Sequence, residues 1–295
     1  MWKLDKRLID DFNKSEGRTA EAGNLLGFQD VVIRRRNSVE LLRAQLIDEQ
    51  GNARFTDPMD NRVVYSSTLV DVAGNLELLR ETAEACNLIL EHTAWQIRLL
   101  SKNSLLSKLV EKGLIPERHH RRIIFGFSTG TLDDRVAKAI EGGTALVSKR
   151  LEALHWLQDR GLRTFGMICP SLPQENYETF SKEICQAIRV ERCEHVWAEV
   201  INVRGESLKQ TLSDLRQAGL VDEAARVESV STGGTGNWEE YARSTFLAHS
   251  NHVPSDKLRF LQYIEVGSKN WWASQRGRGA VLLGKVAEIH GLTAA

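Results

Sequence analysis

The chain has 295 residues, 42% hydrophobic and 26% charged, the profile of a globular protein with a real core and room for one large α/β domain or two modest ones. Lys plus Arg equals Asp plus Glu at 39 each, so the overall field gives no pull toward nucleic acid or a membrane surface. No apolar run reaches the ~20 residues of a membrane helix, and Met1-Trp2-Lys3-Leu4-Asp5 is not a signal peptide, so a cytoplasmic protein is expected.

Residues 1–30 read as charged helix or coil, with Ile9, Leu25, Leu26 and Phe28 a thin apolar set. Val31-Val32-Ile33 is a short β-branched run, followed by Arg34-Arg35-Arg36 and a helix over 39–48. Residues 62–68 form the first clear strand, and Leu76, Leu79, Ala83, Cys86 and Leu90 predict a helix over 75–93. Strands over 95–101, 122–128, 164–169 and 195–201 follow, with helices over 103–112, 145–160 and 175–189 between them. Gly161 closes the second of those helices, and Pro170 and Pro173 close the strand before the third. Helices over 207–227 and 237–250, a last strand over 258–264 and a helix over 280–289 complete the chain.

Strands alternating with helices mean βαβ units and a parallel sheet with right-handed crossovers. No G-x-G-x-x-G follows the first strand, so a full or partial barrel is preferred to an open dinucleotide-binding sheet. Gly233-Gly234-Thr235-Gly236 follows a helix and lacks the Lys of a phosphate loop, so it reads as a connection. The expected organisation is an N-terminal helix or coil over 1–30, a barrel core over 31–205, and a barrel completion with helical extension over 206–295. Cys86, Cys169, Cys185 and Cys193 have neither disulfide-framework nor metal-site spacing, which suits a reducing compartment.

In parallel α/β architectures chemistry sits at the C-terminal ends of the strands. Here those ends carry Ser66, Ser67, Thr68 and Asp71; Ser101, Lys102 and Asn103; Ser128 and Thr129; Cys169 and Ser171; and Glu199, Asn202 and Arg204. Any one of these hydroxyls has an ordinary use as a helix cap, but five polar ends in succession point to a lined pocket. Alternation sets Val196, Ala198, Val200 and Asn202 on one face and Trp197, Glu199 and Ile201 on the other. Glu199 is therefore the stronger functional candidate, because a mid-strand carboxylate is costly without a partner. Lys102 is the one strand-end lysine placed for Schiff-base chemistry.

Several stretches together carry a likeness: Leu99-Leu100-Ser101-Lys102-Asn103, Phe125-Gly126-Phe127-Ser128-Thr129-Gly130-Thr131, Ala139-Ile140-Glu141-Gly142-Gly143-Thr144 followed by Lys149-Arg150-Leu151-Glu152-Ala153-Leu154, and Met167-Ile168-Cys169-Pro170-Ser171. In order and spacing they resemble the radical S-adenosylmethionine superfamily, in its spore photoproduct lyase and DNA repair photolyase-like branch. The resemblance implies an α/β partial parallel (β/α)6 barrel binding S-adenosylmethionine across its open top. Ser66, Ser67 and Thr68 would sit near the methionine amine, Ser128 near the ribose or carboxylate, and Arg150 on the methionyl carboxylate. Asn202 and Arg204 would line the far side with Glu199 near substrate, and Cys169 would be a hydrogen-atom donor or a small core residue.

The family also implies a 4Fe–4S cluster held by three thiolates in a CxxxCxxC loop after the first barrel strand. This sequence has no such triplet, and the likeness enters partway through the first βα unit. Either the chain starts downstream of that strand, the preferred reading, or it lost the cluster and works otherwise. The expectations are thus a radical enzyme in intact form, acting on nucleic acid by family analogy, or a non-catalytic barrel binding a nucleotide or protein partner. Asn270-Trp271-Trp272 with Arg276 and Arg278 reads as a tail packed on the barrel or as a nucleic-acid clamp, the packed tail being preferred slightly.

Overall fold

Short apolar runs, most of them with β-branched or aromatic residues, make the strands, since such side chains fit a pleated surface covered on one or both sides. The computed structural model describes residues 2–24, 37–66, 71–201, 206–232, 235–264 and 267–283. Helices α1 (Trp2–Ser15) and α2 (Ser38–Leu46) precede β1 (Val63–Ser66), α3 (Leu76–His92), β2 (Gln96–Ser101) and α4 (Lys108–Glu111). Then come β3 (Ile123–Ser128), α5 (Asp134–Ile140), α6 (Val147–Gln158), β4 (Thr164–Ser171), α7 (Tyr177–Ala187) and β5 (Val196–Val200). Helices α8 (Glu206–Gln217), α9 (Val221–Ser231) and α10 (Thr235–His252) lead to β6 (Leu258–Tyr263), α11 (Lys269–Ser274) and β7 (Ala280–Leu283). Asn75, Asp133 and Asn176 start α3, α5 and α7 by accepting a backbone N–H with the side chain.

The seven strands lie in chain order, and every neighbouring pair is parallel. Among the described residues the sheet curls into a half-barrel bounded by β1 and β7, which matches the expected α/β class with one strand more than the six expected. Its two faces differ. Ile97, Leu99, Phe125, Phe127, Val196, Ala198 and Phe260 are buried in the main core, under the helices. The alternate residues Arg98, Leu100, Trp197, Glu199, Arg259 and Leu261 are only half-buried on the concave face. Ile124, Phe165 and Met167 form a second, small apolar cluster there, with Leu100, Cys169 and Trp197 packed against it.

Four local expectations need correction. Strand β4 does not stop at Pro170 but runs on to Ser171. Pro170 falls where the register with β5 shifts between Ile168 and Ser171, so its missing N–H costs no ladder bond. The polar stretch after β3 contains the short helix α5, and the helix expected over 207–227 is two, separated at Gly219 with φ of 73°. Residues 280–283 are the strand β7 rather than a helix, and the rest of that expected helix, like Val31–Ile33 and the Gly233-Gly234 pair, lies outside the described residues.

Close packing fixes the sheet interior. A Cβ on Gly126 would lie 2.2 Å from the Phe165 ring, so the glycine is the space that the phenyl group fills. Arg122 donates to the carbonyls of Leu90 at 2.7 Å and Thr93 at 2.6 Å, closing the C-terminal end of α3. Near the end of the described chain, Trp272 is fully buried, stacks on Phe260 at 5.8 Å, and donates its indole N–H to Glu239 at 2.7 Å. Arg278 donates to Ser250 at 2.8 Å beside Phe246.

Candidate functional site

The C-terminal strand ends meet in a polar network. Asp71 accepts from the Ser101 hydroxyl at 2.6 Å and the Lys102 backbone N–H at 2.8 Å, which ties the end of β2 to the loop after β1. Lys102 Nζ lies 2.5 Å from Glu141 Oε1, and Arg150 donates to Glu141 Oε2 at 2.6 Å. Arg150 also donates to the carbonyls of Ala145 at 2.8 Å and Ser128 at 2.9 Å, and to Thr144 Oγ1 at 2.7 Å. Its side chain is 0% exposed. The guanidinium therefore spends its donors inside the protein, joining α6 to the end of β3. Lys102 is likewise committed to a carboxylate, where an ammonium is held as a charge partner rather than offered as a nucleophile.

Ser128 Oγ donates to the Cys169 carbonyl at 2.7 Å, and Gly130 runs so close to β4 that a Cβ would lie 2.2 Å from the Pro170 oxygen. Together these contacts seam β3 to β4 at the mouth of the half-barrel. Cys169 points its thiol at Glu199 Oε2, 3.7 Å away. Burial, and then the charge of Glu199, push the Cys169 thiol up to about 12. Burial also raises the Glu199 carboxyl, and Cys169 is its partner; no cation pairs with it among the described residues. Tyr65 stands at the edge of the same face, its phenol raised by partial burial and sensing Arg98, Cys169 and Glu199.

Of the expected site residues, Ser128, Cys169 and Glu199 come together at the mouth, with Lys102 and Arg150 in the layer behind them. Ser66 ends β1 and alternates with Tyr65, so it shares the helix-facing side with Val64. Ser67, Thr68, Asn202 and Arg204 lie outside the described residues. Sequence reasoning counted Glu141, the carboxylate that gathers Lys102 and Arg150, within a stretch that carries the resemblance but gave it no role of its own. It also passed over Arg98 and Arg259, although the alternation rule that singled out Glu199 applies equally to them.

The cysteines do not fit a 4Fe–4S cluster, which needs three converging thiolates. Cys86 and Cys185 lie buried in α3 and α7, Cys193 is buried before β5, and Cys169 stands apart at the mouth. Burial pushes Cys86 and Cys193 up to about 12 and Cys185 up to about 11, so all are thiols at neutral pH. No group of three His, Cys, Asp or Glu gathers as a metal site among the described residues, and no described helix is long and apolar enough to cross a membrane.

No family model matches the chain, and no curated protein matches it. A tyrosine-to-phenylalanine mutant of spore photoproduct lyase is similar in structure, at 15% identity and a TM-score of 0.47, over 66% of this chain and 59% of that one. The matched region thus spans about three fifths of that protein's length. The fold assignment stands on strand order and register, without that likeness.

Proposed function

We propose that this half-barrel binds a small cationic ligand of the S-adenosylmethionine class at the C-terminal mouth, with Glu199 holding its positive end. The observation that carries this reading is the half-buried Glu199 carboxyl, which faces the Cys169 thiol and pairs with no cation among the described residues. A carboxylate placed there without a counter-charge costs free energy that a bound sulfonium or ammonium group recovers. Ser128, which donates to the Cys169 carbonyl, lies beside this pair, and the Lys102–Glu141–Arg150 network packs behind it through Ser128.

Reductive cleavage of the ligand, the activity implied by the resemblance, needs thiolates that these cysteines do not bring together. The proposed function is therefore binding, with Cys169 and Glu199 as a thiol–carboxyl pair beside the ligand. A nucleic-acid substrate gains little support, since Arg122 is spent on backbone carbonyls and Arg118 lies 3.3 Å from Glu91.

Calorimetric titration of the iron-free chain with S-adenosylmethionine tests the reading, alongside Glu199→Gln. The expected result is binding by the parent and a loss of roughly 10-fold to 100-fold in the variant, the worth of a charged hydrogen bond. Parent affinity falls on acidification, from a pH above the ordinary carboxylate range, because burial raises this carboxyl and its neutral form cannot hold a cation. Absence of binding by the parent, or equal binding by Glu199→Gln, overturns the proposal.

A further inference from the structure

The floor of the concave face, below the mouth, gathers positive charge without gathering a counter-charge. Arg98 stands on β2, His195 and Trp197 at the start and middle of β5, and Arg259 opposite Trp197 on β6. The Arg98 guanidinium lies 5.6 Å from the centre of the Phe165 ring and 5.8 Å from that of Trp197. Phe165 stacks on His195 at 5.2 Å, and His195 meets Trp197 edge-on at 6.0 Å. The cluster is thus an aromatic wall with two arginines on it.

Its polar atoms are left over. Arg98 Nε, His195 Nε2 and Trp197 Nε1 are buried atoms with no hydrogen-bond partner among the described residues. Among the described residues Arg259 donates only to the carbonyl of its own neighbour Leu258, at 2.7 Å. The nearby carboxylate Glu194 is already taken by Arg163, whose NH2 lies 3.0 Å from Glu194 Oε2. Contact with an aromatic face explains why a guanidinium rests there, but it leaves the N–H groups unused. Buried donors and paired cations without an acceptor are costly in a protein that gains nothing from them.

What the floor lacks is an acceptor with negative charge. Guanidinium and indole groups can only donate, so a cationic ligand finds nothing there to bind and an anionic acceptor gains most. A carboxylate has its two oxygens in one plane and satisfies one guanidinium fork. A phosphate monoester is tetrahedral and carries close to two charges, so its oxygens can meet two forks and an indole N–H from different strands. Arg98, Trp197, Arg259 and Leu261 are all half-buried, which leaves the floor open to a small molecule from the concave side.

We propose that this floor is an oxyanion site for the phosphate group of a small phosphate monoester, with Arg98 and Arg259 as its two forks and Trp197 Nε1–H as the third donor. The site is separate from the mouth and does not depend on Glu199. A ligand reaching both would carry its phosphate on the floor and its positive end at the mouth.

Calorimetric titration of the full chain with inorganic phosphate and with a nucleoside monophosphate tests the proposal, with tryptophan fluorescence as a second readout. The expected result is binding of both, weakened at least 10-fold in Arg98→Gln and in Arg259→Gln. Arg98→Lys keeps the charge, guards against a misfolded variant, and is also expected to bind more weakly, because lysine cannot form the fork. Absence of phosphate binding, or unchanged affinity in the arginine variants, overturns the site. Acetate competing as well as phosphate overturns the assignment to a phosphate group. Because S-adenosylmethionine carries no phosphate, failure of its titration with Glu199→Gln would leave this result standing, and the reverse holds too.

Discussion

Replacing Arg150 with methionine separates an internal strut from a ligand contact. The arginine is 0% exposed and makes four hydrogen bonds, to Ala145, Ser128, Glu141 and Thr144. Without it Glu141, whose side chain is 8% exposed, keeps Lys102 as its only cation, and two carbonyls lose a donor. Breaking one partner of a buried ion pair costs about 3–5 kcal/mol, and orphaned buried acceptors push the figure to the upper part of that range. Methionine fills most of the volume, so little of the loss is cavity. In urea melts, a slope of about 3 kcal/mol per molar turns this into a midpoint lower by roughly 1.3–1.7 M, with the slope unchanged. The matching change Lys102→Met removes a group that is 34% exposed and should cost about 1 kcal/mol or less. The reasoning is refuted if Arg150→Met melts within about 1 kcal/mol of the parent while losing S-adenosylmethionine, for the arginine would then be a ligand residue.

Three further outcomes are expected. Gly126→Ala puts a methyl group into the Phe165 ring and should cost about 1–3 kcal/mol, with the double variant Gly126→Ala/Phe165→Leu costing less than the sum of the two single changes in a thermal-melt cycle. Burial holds His249 down at about 4, so the unfolded chain binds its proton first. Stability present above pH 6.5 is then lost as pH falls toward 4, by roughly 3 kcal/mol at full extent, and His249→Phe should flatten that slope in urea midpoints taken at pH 7 and pH 5. Iodoacetamide at pH 8 should leave the cysteines intact in the native protein and label all four after urea, as read by mass spectrometry; rapid native labelling of Cys169 would contradict the raised thiol.

The sheet was legible because each strand is a short run whose neighbours carry turn residues, and that pattern survives without any knowledge of contacts. Strand β7 was not, because Ala280-Val281-Leu282-Leu283 is an apolar run too short to show a period. Helix α5 was hidden because its seven residues carry two charges at the start and only Val136 and Ala137 buried. At the site, Glu199 could be picked out by the cost of a mid-strand charge, and its facing thiol by position. The role of Arg150 could not, since a helix arginine with a distant loop carboxylate looks the same in sequence as one bound for solvent. Arg98 was legible in principle: Gln96, Arg98 and Leu100 alternate with Ile97, Leu99 and Ser101, and the polar member of that alternation had to face the concave side.

That alternation divides labour at the spacing of a single residue. In β5 the buried Val196, Ala198 and Val200 serve the main core, while Trp197 and Glu199 between them face the hollow in which the proposed ligands would sit. Substitutions in the first set are expected to act on stability and a substitution at Glu199 on affinity, while Trp197, packed on the small concave cluster, would affect both. A half-barrel open on its inner side can therefore change what it recognises by exchanging every second side chain, without disturbing the layer that keeps it folded.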